Sequence, residues 1–127
     1  MILYSSNSGR EWRNLGPNKF SDIAISGQKL GENFVIRDRK LFKGSKTFAD
    51  LSLVKTVFPV SEIELVGRTL YAASDKSIFR SSNQGKTWKK ISTFGAEVSR
   101  LSSSNELLIA IVGNQILKSE DGGKNFS

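Results

Sequence analysis

An eight-residue pattern that returns along the chain limits the fold more than any other feature. Ser5-Ser6-Asn7-Ser8-Gly9-Arg10-Glu11-Trp12 reappears as Ser81-Ser82-Asn83-Gln84-Gly85-Lys86-Thr87-Trp88 and as Ser119-Glu120-Asp121-Gly122-Gly123-Lys124-Asn125-Phe126. Each octet reads Ser, any residue, Asn or Asp, any residue, Gly, two of any type, and an aromatic ring. Each also follows a short apolar pair: Leu3-Tyr4, Ile78-Phe79 or Ile116-Leu117. A shortened version lies between the first two, where Leu41-Phe42-Lys43 leads through Gly44-Ser45-Lys46-Thr47 to Phe48 without the acidic turn residue. The closing aromatics fall at 12, 48, 88 and 126, intervals of 36, 40 and 38. A period of this length fits a repeated antiparallel sheet of about four strands.

The residue types suit a hairpin staple. An Asn or Asp side chain accepts hydrogen bonds from backbone N–H groups just ahead of it, Gly takes the positive φ that closes the turn, and the Ser hydroxyl ties down the hairpin base. The aromatic then drops back beneath the hairpin as an apolar anchor. Ser5, Asn7, Gly9, Trp12, Phe48, Ser81, Asn83, Gly85, Trp88, Ser119, Asp121, Gly123 and Phe126 are therefore assigned structural roles, fastening a third strand to a fourth. Segments 22–26, 62–66 and 98–102 alternate apolar with polar residues, as innermost strands do. Segments 33–36, 69–73 and 107–112 are more continuously apolar, as second strands covered on both faces should be. Nothing shows helical periodicity, and Pro17 and Pro59 fall between units, where they disturb no ladder.

The octets resemble the Asp-box, or BNR, repeat of sialidases, sortilin-type receptors, propeller-type photosystem II assembly factors and several glycoside hydrolases. The resemblance implies an all-β, partial β-propeller: about three four-stranded antiparallel blades plus a leading C–D hairpin. Blade limits at 1–15 (the half-blade), 16–53, 54–92 and 93–127 follow from the repeat. In that family the boxes are structural and sit at the blade periphery, opposite the active face, so shared boxes imply shared architecture and say little about activity. Members lean to secreted or extracytoplasmic locations. Known rings have six or more blades, whereas this chain supplies an arc. An open arc leaves an apolar sheet face at each end. Three arrangements would cover those faces: a longer chain, a homo-oligomer that completes the ring, or capping by the chain's own termini.

With 127 residues the chain has the size of one ordinary domain, and 38% hydrophobic residues suffice for a core. It contains neither Cys nor His, which removes disulfides, thiol nucleophiles, Cys/His zinc sites and the side chain most used for acid/base work near neutral pH. No apolar run approaches a bilayer span, and Met1-Ile2-Leu3-Tyr4 is too short for the core of a signal peptide. The net charge of +7 favours acidic partners, although the basic residues are spread out, as on a solvated surface where Lys guards exposed strands.

Propellers concentrate variable loops at one mouth of the central channel, and binding residues gather on such loops. The second-to-third-strand and inter-blade loops combine basic and aromatic residues here, so Arg37, Arg39, Lys40, Lys55 and Phe58 are the expected contacts for a protein, glycan or other acidic partner. The expected function is a non-catalytic scaffold or binding module without cofactor or metal. The alternative is a fragment of a sialidase-like glycoside hydrolase, for which Arg37, Arg68, Arg100, Tyr71 and Glu62 would have to converge. Nucleic-acid binding through Arg10, Arg13, Lys86, Lys89, Lys90 and Lys124 is disfavoured, because these residues flank outer strands and no RNA-binding aromatic signature accompanies them. Asp121-Gly122-Gly123 lacks the alternating acidic ligands of a calcium loop and is assigned a turn-capping role.

Overall fold

Short strands separated by tight turns account for all the regular structure of the computed structural model, which describes residues 3–4, 8–11, 13–14, 22–25, 33–44 and 51–127. The expected box residues Ser5, Asn7, Trp12 and Phe48 lie outside the described residues. The leading hairpin consists of β1 (Leu3–Tyr4) and β2 (Arg13–Asn14), paired antiparallel. The first sheet comprises β3 (Asp22–Ile25), β4 (Asn33–Arg37), β5 (Lys40–Gly44) and β6 (Ser52–Val54). The second comprises β7 (Glu62–Val66), β8 (Thr69–Ser74), β9 (Ser77–Ser81) and β10 (Lys89–Thr93). The third comprises β11 (Val98–Ser104), β12 (Leu107–Val112) and β13 (Gln115–Ser119). Within each sheet the strands lie in sequence order, every neighbour antiparallel.

The turns follow from residues that tolerate left-handed φ. Asp38 and Arg39 turn β4 into β5 at φ of 53° and 62°, Asp75 opens the β8–β9 turn at 50°, and Gly113 the β12–β13 turn at 58°. Two-residue hairpin turns of this hand match the twist of the flanking strands.

Because side chains alternate across a strand, each sheet presents one face to each neighbouring sheet. Phe34, Ile36, Leu41 and Val54 on the first sheet meet Ile63, Leu70 and Ala72 on the second, with Phe58 and Val60 from the connection packed among them. The opposite face of the second sheet sends Tyr71, Ala73 and Ile78 against Leu101, Leu108, Ala110 and Val112 of the third. Most of the described core thus lies in two layers, each sandwiched between successive sheets, while Val35, fully buried, alternates to the other face of the first sheet.

Two expectations need correction. The third unit is not a full four-stranded sheet: its fourth position is represented by Ser127 alone, which exchanges backbone hydrogen bonds with Lys118 at 3.0 and 3.1 Å. Strand β12 is not covered on both faces either. Leu108, Ala110 and Val112 are buried, while Leu107, Ile109 and Ile111 are half-buried and Ile116 beside them is 75% exposed, because no described sheet stands on that side.

Candidate functional site

Both fully described boxes build the same hydrogen-bonded turn. In the second sheet the Ser81 hydroxyl accepts from the Gly85 N–H at 2.8 Å and donates to Asn83 Oδ1 at 2.9 Å. Asn83 Oδ1 also accepts from the Thr87 N–H at 2.9 Å, and Asn83 Nδ2 donates to Thr87 Oγ1 at 2.8 Å. The third sheet repeats the pattern. Ser119 Oγ accepts from the Gly123 N–H at 2.8 Å and donates to Asp121 Oδ1 at 2.8 Å. Asp121 accepts from Asn125 twice, N–H at 2.9 Å and Nδ2 at 2.7 Å. These bonds, the backbone N–H of Asn125 first, hold the Asp121 carboxyl down at about 2, since each is made to the charged form. Gly85 and Gly123 both sit at φ +87°, and Gly9 of the leading hairpin at 86°, a conformation that favours glycine.

The box also grips the preceding sheet. A methyl group on Gly85 would lie 2.9 Å from Val54 Cγ1, on the outer strand of the first sheet. A methyl on Gly123 would collide with Ile91 Cδ1, on the outer strand of the second. The Ser92 hydroxyl adds a 3.0 Å bond to the Gly123 carbonyl. Trp88 donates from Nε1 to the Gly85 carbonyl at 3.0 Å and meets Phe58 edge-on at 5.6 Å, while Phe126 meets Phe94 edge-on at 5.4 Å. Each closing ring therefore packs on the connection that enters its own sheet or leaves the one before. These glycine contacts between sheets have no signature in the octets themselves.

At the opposite ends of the third strands, the second-to-third-strand turns and the connections between sheets share one face. The Arg39 carbonyl accepts from the Val60 N–H at 2.9 Å, and one sheet further on the Asp75 carbonyl accepts from the Val98 N–H at 2.8 Å. Phe94 N–H to the Lys76 carbonyl (2.8 Å) and Gly113 N–H to the Glu97 carbonyl (3.1 Å) extend the same stitching. The backbone of this face is thereby fixed before any partner arrives.

The five expected contact residues do not behave alike. Lys40 and Lys55 are exposed on this face. Arg39 is exposed too, and its guanidinium reaches Asp75 of the next turn at 3.3 Å. Arg37 lies with its guanidinium 4.8 Å from the centre of the Phe42 ring, a cation–π contact. Phe58 departs from the expectation: it is 8% exposed and stacks on Phe79 at 3.8 Å, because the connection tucks it between the first two sheets. It is a core residue. Leu53 and Val57, 54% and 100% exposed, stand on the same groove as Lys40 and Lys55 and were not among the expected contacts. The signal for them was faint, two aliphatics four apart around a lysine.

The residues a sialidase-like centre would need are scattered. Arg68 occupies the β7–β8 turn, at the other end of the second sheet from the face that carries Arg37. Arg100 faces Glu62 at 4.0 Å. Tyr71 is 3% exposed beneath Gly122, and burial pushes its hydroxyl above the ordinary value, with Arg80 pulling it down and Asp121 pushing it up. Beside it Arg80 Nε is buried without a hydrogen-bond partner. Among the described residues no cluster of three or more Asp or Glu side chains could hold a metal ion. No described helix is long and apolar enough to cross a membrane.

Successive antiparallel sheets of three or four strands, packed face to face, with the second and third stapled at the outer hairpin, define the architecture. The chain is a partial β-propeller. No protein-family model and no curated protein matches it. Solved propellers superimpose well. The structure of YCF48 bound to a D1 peptide matches with a TM-score of 0.70 at 12% identity, over 85% of this chain and 38% of that one. An ancestral GH74 enzyme matches at 0.69 and 18% identity, over 98% of this chain and 20% of that one. A chain of the nidogen/laminin complex matches at 0.71 and 13% identity, over 85% and 46% respectively. The chain thus spans less than half the length of each of these structures.

Proposed function

We propose that this partial propeller is a non-catalytic protein-recognition module, a segment of a larger ring, that offers its stitched face to an acidic partner. The repeat units are taken as residues 16–53, 54–92 and 93–127 behind the half-blade 1–15. The observation that carries the reading is the pairing of a rigid backbone with exposed cations: Arg39 and Lys40 stand at the β4–β5 hairpin, and Lys55 on the connection that the Arg39–Val60 bond ties to it. A preorganised basic surface attracts carboxylates at little ordering cost. Two structural neighbours support a protein partner, one described as bound to a D1 peptide and one as part of a nidogen/laminin complex. The match to an ancestral GH74 enzyme keeps a hydrolase in view, but the scattering of Arg68, Arg100 and Tyr71 favours binding over catalysis.

A short-peptide display library panned against the chain tests this. Acidic peptides should be enriched, and their binding should weaken with salt and fall on the order of tenfold in Lys40→Glu/Lys55→Glu, a rim-charge effect. Reversal of Lys89 and Lys124, on the box side, should leave it unchanged. A library that returns no acidic peptides would sink the reading.

A further inference from the structure

The connection that follows β6 treats neighbouring apolar residues in opposite ways. Phe58 is stacked on Phe79 at 3.8 Å, and Val60 is fully buried with its N–H bonded to the Arg39 carbonyl at 2.9 Å. Between β6 and these anchors Val57 is held entirely in solvent, 100% exposed. The Thr56 hydroxyl donates to the Phe58 carbonyl at 2.6 Å, across Val57, which fixes the turn that displays it. Leu53, 54% exposed, lines the same groove as Val57, together with Lys40, Val54, Lys55 and Thr56. Only three large aliphatic side chains are this exposed among the described residues, and two of them share this groove. Single exposed aliphatics are ordinary; a pair held rigidly in a concavity rimmed by lysines marks a contact surface.

We propose that this groove is an apolar subsite for an acidic protein segment: one aliphatic or aromatic side chain of the partner seats against Leu53 and Val57 while carboxylates flanking it meet Lys40 and Lys55. The proposal rests on the protein-recognition reading and adds to it what the partner must carry besides charge. The occupant follows from charge complementarity. The ammonium groups of Lys40 and Lys55 take part in no ion pair or hydrogen bond within the described residues, so the groove offers two free cations a few residues either side of its apolar floor. The concave lining suits a side chain better than the flat surface of a bilayer. Central apolar contacts ringed by charge are the usual anatomy of a protein contact, in which the buried side chain supplies affinity and the rim steers approach.

The test uses the peptides recovered from the display library, with Leu53→Ser/Val57→Ser and Lys55→Glu compared by fluorescence anisotropy. Both aliphatic positions are exposed, so the double variant should melt within a degree or two of the parent, which is measured first. The proposal expects the enriched peptides to place an apolar residue among acidic ones. It expects about tenfold weaker binding by Leu53→Ser/Val57→Ser at every salt concentration, as loss of a buried aliphatic contact implies. Lys55→Glu should weaken binding mainly at low salt. Acidic peptides without an apolar preference, bound equally by the parent and by Leu53→Ser/Val57→Ser, would overturn the subsite and leave the broader reading intact. Enrichment of no acidic peptide would remove both. Sedimentation of the parent with phosphatidylserine vesicles, abolished by Leu53→Ser/Val57→Ser, would replace the peptide by a membrane surface and overturn the proposal as well.

Discussion

Replacing Gly85 by Ala should loosen the contact between the first two sheets, and its cost can be assembled from two separate sources. The residue sits at φ +87°, where an L side chain is strained by roughly 1–3 kcal/mol. The added methyl would also stand 2.9 Å from Val54 Cγ1 and 3.5 Å from Trp88 Cζ2, so Val54 must retreat by several tenths of an ångström. Overpacking of that kind costs roughly another 1–3 kcal/mol. The two together put Gly85→Ala at about 2–6 kcal/mol. A double-mutant cycle separates them, since Val54→Ala removes the obstructing methyl and leaves the backbone strain in place. Urea melts of the four proteins should show Gly85→Ala/Val54→Ala less destabilised than the two single losses added, by about 1–2 kcal/mol. If the two losses simply add, the box does not press on the preceding sheet and the argument is wrong.

Other consequences are simpler to check. Trp88→Ala should lose about 3 kcal/mol in a urea melt, through the cavity beside Phe58 and the lost bond to the Gly85 carbonyl. Asp121 should make acid unfolding steeper: its carboxyl is depressed from the ordinary 3.8 to about 2 in the fold, so its contribution is complete above pH 4 and disappears as pH falls from there toward 2. Asp121→Asn, with urea melts followed by circular dichroism at several pH values, should flatten the fall in stability across that window, costing most above pH 4, where the carboxylate contributes fully, and least near pH 2. Glu106→Gly should stabilise by a few tenths to about 1 kcal/mol, because Glu106 closes the β11–β12 turn at φ +67° after Asn105, and Asn-Gly suits such a turn better. A melting temperature below the parent's would contradict that.

What the sequence reveals about this fold is what local chemistry determines. Ser81, Asn83, Gly85 and Thr87 bond to one another within a few positions, so their spacing announces the turn, and Ser119 to Asn125 announces it again. The contacts between sheets are silent by comparison. Nothing near Gly123 indicates that Ile91 will lie against it, because that neighbour is set by how the second and third sheets stack. Phe58 shows the same limit from the other side. A Phe between Lys55 and Pro59 looks like part of an exposed loop, yet the connection runs across the gap between two sheets and buries alternate residues, Phe58 and Val60, while holding Val57 outside. Arg80 and Tyr71, nine residues apart in chain order but cross-strand partners, meet beneath the next box for reasons of register alone. The basic residues of the stitched face were legible as loop residues, whereas the groove between Lys40 and Lys55 exists only once β5 and β6 are paired.

The stacking of stapled sheets can be read directly from methyl-to-backbone nuclear Overhauser effects in protein labelled at Ile, Leu and Val. Matching cross-peaks should join the Val54 methyls to the Gly85 α-protons and the Ile91 δ-methyl to the Gly123 α-protons, one pair for each sheet interface. A spectrum in which both pairs are missing, while the hairpin contacts inside each sheet persist, would mean that the sheets form but do not stack as successive blades.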